Sequence, residues 1–232
     1  MMMDFLLQTD REILQFFNGS DSLFIDGLAS TLTMILTWIP LYVSLFWIVM
    51  RNNENMRQIL LVVMACALCF LLSDGLADGI MKPVVARLRP CQDPSVKMYI
   101  DTVEGFCPTD YSFFSAHASN TFSIAIFFAM LVRQRTFTIF MVVWSLTNCW
   151  TRLYLGVHYP SDIIIGLLWG SIVGFCVYLF YQRFYQFVGT KSKFVSTHYT
   201  TTGYALVDLN IVYTVMVLTF IYAIIRSVII AI

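Results

Sequence analysis

The sequence predicts an all-α protein, a polytopic membrane helix bundle with six transmembrane helices and a short N-terminal amphipathic helix. Three observations predict it. Hydrophobic residues make up 59% of the 232 and charged residues only 12%, against about 25% charged in a soluble domain. Mean hydropathy is +0.75. Six apolar segments reach spanning length, at 28–50, 59–80, 116–132, 136–151, 163–182 and 209–232. Lipid offers no partner to an open backbone, so these segments read as helices, and no ten-residue alternating blocks of the barrel type occur. The chain reads as one domain, 1–232.

Each element follows in order. The opening "MMMDFLLQTDREILQFF" lacks a basic start and a long apolar run, so it is not a signal peptide. It reads as a helix lying at a membrane surface, with Phe5, Leu6, Ile13, Leu14 and Phe17 as its apolar set. The third and fourth spans are short, which implies recessed ends or locally thinned lipid. The connections at 51–57 and 133–135 are tight. The loop 82–115 is long and holds four prolines, and loops of that length are commonly functional. The segment 183–210 is polar and rich in Thr, Ser and Lys. Net charge is zero, which removes the electrostatic case for nucleic acid.

Lys and Arg counts orient the bundle. One side holds Arg51, Arg57, Arg133, Arg135, Arg183, Lys191 and Lys193; the other holds Arg11, Lys82, Arg87, Arg89, Lys97 and Arg152. Seven against six decides little. Setting aside Lys82, Arg89 and Arg152 as functional leaves seven against three, and the first set is placed in the cytoplasm. Both termini and the loop 82–115 then face outward, to a periplasm or its equivalent. Cys91 and Cys107 share that loop and could pair in an oxidising compartment.

The polar residues at the outer span ends carry the chemistry. Lys82, Arg87 and Arg89 follow the second span, Ser115 and His117 open the third, Arg152 ends the fourth, and His158 and Asp162 open the fifth. Cations converging on two histidines suit a phosphoryl group in transfer, whose charge spreads over three oxygens. Arginine binds such oxygens in pairs, and Ser115 with the N–H groups near Ala116 opens a helix, where anions bind. Asp162, in the first turn after Pro160 and Ser161, could accept Nδ1–H of His158 and leave Nε2 free to attack phosphorus. His117 could protonate the departing oxygen and then activate water. No metal-ligand spacing appears, so neither metal nor cofactor is expected.

Three stretches then carry a family likeness: "KPVVARLRP" with Lys82, Arg89 and Pro90, "FSAH" with Ser115 and His117, and "TRLYLGVHYPSD" with Arg152, His158 and Asp162. In order and spacing they resemble the motifs of the type 2 phosphatidic acid phosphatase family, integral membrane lipid phosphatases related to vanadium haloperoxidases. Phe114, Ala116 and Thr151 depart from the pattern, where the family has proline, glycine and serine. None of the three departures removes a reacting group. The resemblance implies that His158 is the nucleophile, Asp162 its orienting partner and His117 the acid. It implies that Lys82, Arg89, Ser115 and Arg152 hold the phosphate. The motifs lie within 82–162.

The resemblance also implies a lipid phosphate substrate drawn from the bilayer: undecaprenyl diphosphate or a lipid A phosphate, with phosphatidylglycerol phosphate or phosphatidic acid as the alternative. A small bundle with an outward site suits a bacterial inner membrane with the site facing the periplasm. No protein partner is inferable. Two rivals stand beside this reading. A vanadate haloperoxidase would use the same pocket, though six spans suit a lipid better. A non-catalytic lipid-binding or transport protein would tolerate loss of His158.

Other polar residues have plainer readings. Arg87 matches no motif position and is expected at the surface or on a lipid headgroup. Asp74, Asp78 and Lys82 repeat at four-residue steps and share a helix face; Asp78 is expected to orient Lys82 or Arg89. His198 is assigned no role.

Overall fold

Eight main helices are present among the residues described by the computed structural model, which are 2–188 and 197–232, with 2–7 and 188 described by backbone alone. They are α1 (Met2–Phe17), α2 (Leu23–Thr33), α3 (Ile39–Arg51), α4 (Met56–Leu76), α5 (Ala116–Val132), α6 (Arg135–Tyr154), α7 (Pro160–Val188) and α8 (Leu206–Ala231). No β-strand occurs among the described residues. The side chains of Phe5 and Leu6, and Lys191 and Lys193 of the expected cytoplasmic set, lie outside the described residues.

Three helices are long and apolar enough to cross a bilayer: the α4 unit, α7 and α8. The α2–α3 pair makes a fourth if counted as one span, and α5 is apolar but shorter. The first span is not the continuous helix expected over 28–50. It breaks at Met34, with a bend of 69° between its halves. Pro40 stands at the start of α3. Its fixed φ and missing N–H suit that first turn, and the break itself lies six residues earlier, at Met34, whose backbone is extended with ψ 131°. The carbonyls freed at the end of α2 are answered by side chains: Thr37 Oγ1 donates to Thr31 O at 2.6 Å and Trp38 Nε1 to Leu32 O at 2.8 Å.

The core sits where α3, α4, α5, α6, α7 and α8 meet, around Trp38, Leu41, Ile48, Phe127, Phe137 and Trp144. α5 lies at the centre, packing most extensively on α7 and then on α6 and α4. The α5–α7 contact is close because α7 brings glycine to it every fourth residue. A methyl added at Gly166, Gly170 or Gly174 would come within 2.8, 2.6 or 2.5 Å of the carbonyls of Ser115, Ser119 and Ser123. Small residues at i, i+4 let membrane helices approach at backbone distance. This seam fixes His117 on α5 relative to His158 and Asp162 at the start of α7. Gly170→Leu is therefore expected to lower Tm in detergent and reduce activity together, whereas Gly75→Ala, which meets nothing within 4 Å, should gain roughly 0.5–1 kcal/mol of helix stability. Thermal unfolding of both variants checks the contrast.

α1 does not lie wholly on the lipid side. Leu14, expected on its lipid-facing stripe, is fully buried against Val96, Ile100 and Tyr159, while Phe16 is 83% exposed. The helix is thus wedged between the loop 82–115 and the start of α7. The loop itself is closed by a Cys91–Cys107 disulfide.

Candidate functional site

The motif residues come from four helix ends that meet at one face of the bundle. α4 passes through a π-turn at Ala77–Met81 before its last turn, Lys82–Val85. Such turns re-aim side chains and recur at functional sites. Ser115 caps α5 and presents His117 in its first turn. α6 ends at Tyr154 just past Arg152. A tight turn then leads to Pro160, whose fixed φ suits the first position of α7. Gly156 makes that turn with φ +64°, and a side chain there would collide with Ile100 of the loop.

Lys82, Arg89, Arg152, His117 and His158 line one cavity of about 960 Å³. Met34, Ile35, Leu36, Trp38 and Phe70 form its apolar part, so the break in the first span opens directly into it. The three cations are all buried, at 7%, 5% and 6% exposure. Two of them are already paired. Lys82 Nζ lies 2.8 Å from Asp78 and 2.6 Å from Asp110, and Arg89 grips Asp110 with Nη2 at 2.9 and 2.8 Å from its two carboxylate oxygens. Arg152 differs. Among the described residues its guanidinium has no carboxylate partner, and its Nε makes no hydrogen bond.

Asp78 is one of the two carboxylates beside Lys82; the carboxylate on Arg89 is Asp110. Burial alone would raise the Asp110 carboxyl, but its bonds to Lys82 and Arg89 outweigh that and bring its pKa down to about 2. It is ionised at neutral pH and stands as a counterion to two cavity cations, its side chain half exposed. Asp74 is bonded by Asn120 Nδ2 at 2.9 Å, one turn beyond His117.

His158 is 3% exposed. Its Nε2 lies 3.2 Å from Arg89 Nη1. Arginine can only donate, so Nε2 accepts and the ring proton belongs on Nδ1. That nitrogen points to Asp162 Oδ2 at 3.7 Å, too long for a closed hydrogen bond. The expected His158–Asp162 orientation is thus in place but the bond is open. Burial, with Arg89 and Arg152 nearby, pulls the His158 pKa down to about 4 against the opposing pull of Asp162, so the ring is neutral at pH 7.

Ser115 is not among the cavity-lining residues. It is fully buried, and its hydroxyl accepts from Ala118 N at 3.4 Å at the start of α5 while its own N–H donates to Asp162 O at 3.1 Å. It ties α5 to α7 rather than facing the cavity.

Arg87 is not on the surface as expected. Its Nη1 donates to Asp162 Oδ1 at 2.9 Å, its Nη2 to Asp10 Oδ2 at 2.7 Å, and its guanidinium lies 3.8 Å above the Tyr159 ring. A fully buried carboxylate needs a counter-charge, and Asp162 draws Arg87 inward. Asp10, Arg87 and Asp110 were not found from sequence. Their partners lie 77, 75 and 21 residues away, and no short spacing signals such pairs.

Among the described residues no group of three or more His, Cys, Asp or Glu side chains is placed to hold a metal ion. What the site can do follows from its parts: three cations can hold an anion with several oxygens, a neutral Nε2 can attack it, and a second imidazole on the same cavity can pass a proton.

Comparison with known proteins agrees with that chemistry. A family model described as the PAP2 superfamily matches residues 58–186. The chain is 38% identical over 178 residues to a lipid A 4'-phosphatase of Bacteroides thetaiotaomicron, covering 76% of this chain and 79% of the relative. It is 30% identical over 181 residues to a lipid A 4'-phosphatase of Porphyromonas gingivalis, covering 77% and 75%. An undecaprenyl-diphosphatase of Sulfolobus acidocaldarius is 26% identical over 138 residues, 60% of each chain. No solved structure matches it.

Proposed function

The chain belongs to the PAP2 superfamily, and from that premise we propose that it is a membrane lipid phosphatase that removes phosphate from a lipid A-type amphiphile through a phosphohistidine on His158. The observation that carries the reading is Arg152: a buried cation that has no carboxylate partner among the described residues, on the same cavity as Lys82, Arg89, His117 and His158. An isolated buried charge is costly, and a phosphate supplies what it lacks.

The steps use groups already in place. Lys82, Arg89 and Arg152 hold the phosphoryl oxygens. His158 Nε2 attacks phosphorus as the bond to the lipid oxygen breaks, and His117 gives that oxygen a proton. His117 then takes a proton from water, which attacks the phosphohistidine and releases phosphate, and His158 leaves neutral. Before that sequence begins, the incoming phosphate must displace Asp110 from Lys82 and Arg89. Because Asp110 is half exposed, its hold is modest, about 0.2–1 kcal/mol. Asp110→Asn is expected to strengthen inhibition by inorganic phosphate up to about fivefold; weaker inhibition would instead make Asp110 a support for the two cations.

The apolar cavity wall supports an amphiphilic substrate that enters from the bilayer. The two lipid A 4'-phosphatase relatives favour a sugar-linked lipid phosphate; undecaprenyl diphosphate is the second reading, carried by the Sulfolobus relative. Six spans remain our reading of the topology: α6 has 20 residues, about 30 Å of helix, and Asn148 and Arg152 on its cavity side lower its apolarity. The disulfide in the loop supports an oxidising, periplasmic face of a bacterial inner membrane. Phosphate release should be measured on lipid A, undecaprenyl diphosphate, phosphatidylglycerol phosphate and phosphatidic acid in mixed micelles. Release is expected first from lipid A, and release from none of the four would overturn the reading.

A further inference from the structure

We infer that Arg87 and Asp10 are positioning residues for the reaction, and that helix α1 is thereby part of the catalytic apparatus rather than only a surface anchor. The inference rests on the reading of His158 and Asp162 given above.

Asp162 is fully buried. Its Oδ2 accepts the Tyr159 N–H at 2.9 Å and its Oδ1 accepts Arg87 Nη1 at 2.9 Å. His158 is neutral at rest, so among the described residues Arg87 is the cation that balances this carboxylate. When His158 carries developing positive charge during attack, Asp162 must already be ionised and aimed, and Arg87 holds it so. Arg87 does not line the cavity. It reaches the site only through Asp162.

Arg87 is in turn held by two elements. Its plane stacks on Tyr159, the residue after His158. Its second arm binds Asp10, whose other oxygen accepts the Ser161 N–H at 2.8 Å. Asp10 also accepts the Ser161 hydroxyl. One carboxylate of α1 therefore fixes both the guanidinium and the first turn of α7, one residue from Asp162. Asp10 is itself only 7% exposed, and Leu14 one turn later is locked under Ile100 and Tyr159. A chain of contacts runs Asp10, Arg87, Asp162, His158. A lysine in place of Arg87 could reach one carboxylate or the other but lacks the fork that bridges both.

The test is a split between turnover and binding. Arg87→Met should lower kcat about 100-fold, while KM and inhibition by inorganic phosphate stay within about threefold of wild type. Arg87→Lys should recover part of kcat. Asp10→Asn, which keeps the shape of the side chain, should lower kcat about tenfold with KM unchanged. Should Arg87→Met fail to fold in detergent, Asp10→Asn and Arg87→Lys decide the matter. Loss of phosphate inhibition larger than the loss in kcat would make Arg87 a phosphate ligand and overturn the inference, as would wild-type kcat in the variants that fold. His158→Ala separates the two levels. If it is inactive while the Arg87 and Asp10 variants turn over normally, only this inference fails; if it is active, the reading of the site fails with it.

Discussion

His158→Ala is expected to lose phosphate release from every lipid phosphate by about 10⁴-fold or more, with the protein still folded. The size follows from the role: without the imidazole that takes the phosphoryl group, water must attack the lipid phosphate directly. His117→Ala should behave differently. On an ester whose leaving group needs no proton, the first step survives and the second slows, so labelled phosphate should accumulate on His158. The pH profile gives an independent reading. With the His158 pKa near 4, the attacking lone pair is present down to about pH 4 and is lost below it, so the acid limb set by the nucleophile lies well under the ordinary histidine value of about 6.5. The sign also runs through stability. The unfolded chain takes up this proton near 6.5 and the folded chain only near 4, so stability falls as pH drops through that window. Retention of more than a tenth of the wild-type rate in His158→Ala would sink the phosphohistidine mechanism.

The part of this site that is legible in sequence is the part built by short-range geometry. Arg152, His158 and Asp162 lie on one helix end, one turn and the next helix start, so their spacing encodes where they meet. The same holds for Lys82 and Asp78, one turn apart on one helix. The residues that sequence missed are joined by the fold alone. Asp10 reaches Arg87 because α1 packs under the loop 82–115, and Asp110 reaches Lys82 and Arg89 because that loop, which holds the Cys91–Cys107 bond, folds back over the cavity. Charge pairing of this kind has no period. The broken first span gave no such sign: the break falls at Met34, within an apolar run, and Pro40 lies inside the half that follows it. Ser115 shows how one residue type can serve two purposes. A serine opening a helix beside a histidine can cap the helix or hold an anion, and here its hydroxyl caps.

The second large effect is expected at Arg152, where activity and stability should move in opposite directions. Arg152→Met should lower kcat/KM about 10³-fold, the scale of removing one strong charge contact made to the reacting group. Yet the same change should raise stability. Lys82 and Arg89 each have carboxylates around them, so removing either would strand Asp78 or Asp110. Among the described residues Arg152 has none, and its Nε finds no acceptor. In the empty site its burial is an uncompensated cost, and an apolar side chain of similar reach removes it. Replacing a buried ion by a well-packed hydrophobe is worth roughly 1–4 kcal/mol, which should appear as a higher Tm in detergent. Phosphate should close the gap from the other side. A ligand that binds only the folded protein stabilises it in proportion to its occupancy, so inorganic phosphate should raise the Tm of wild type and leave that of Arg152→Met nearly unchanged. A variant that is inactive, more stable and indifferent to phosphate identifies Arg152 as a residue kept for the anion at the expense of the fold. A variant that unfolds earlier than wild type, or that still gains Tm from phosphate, would make Arg152 a structural residue and move the anion-binding role to Lys82 and Arg89 alone.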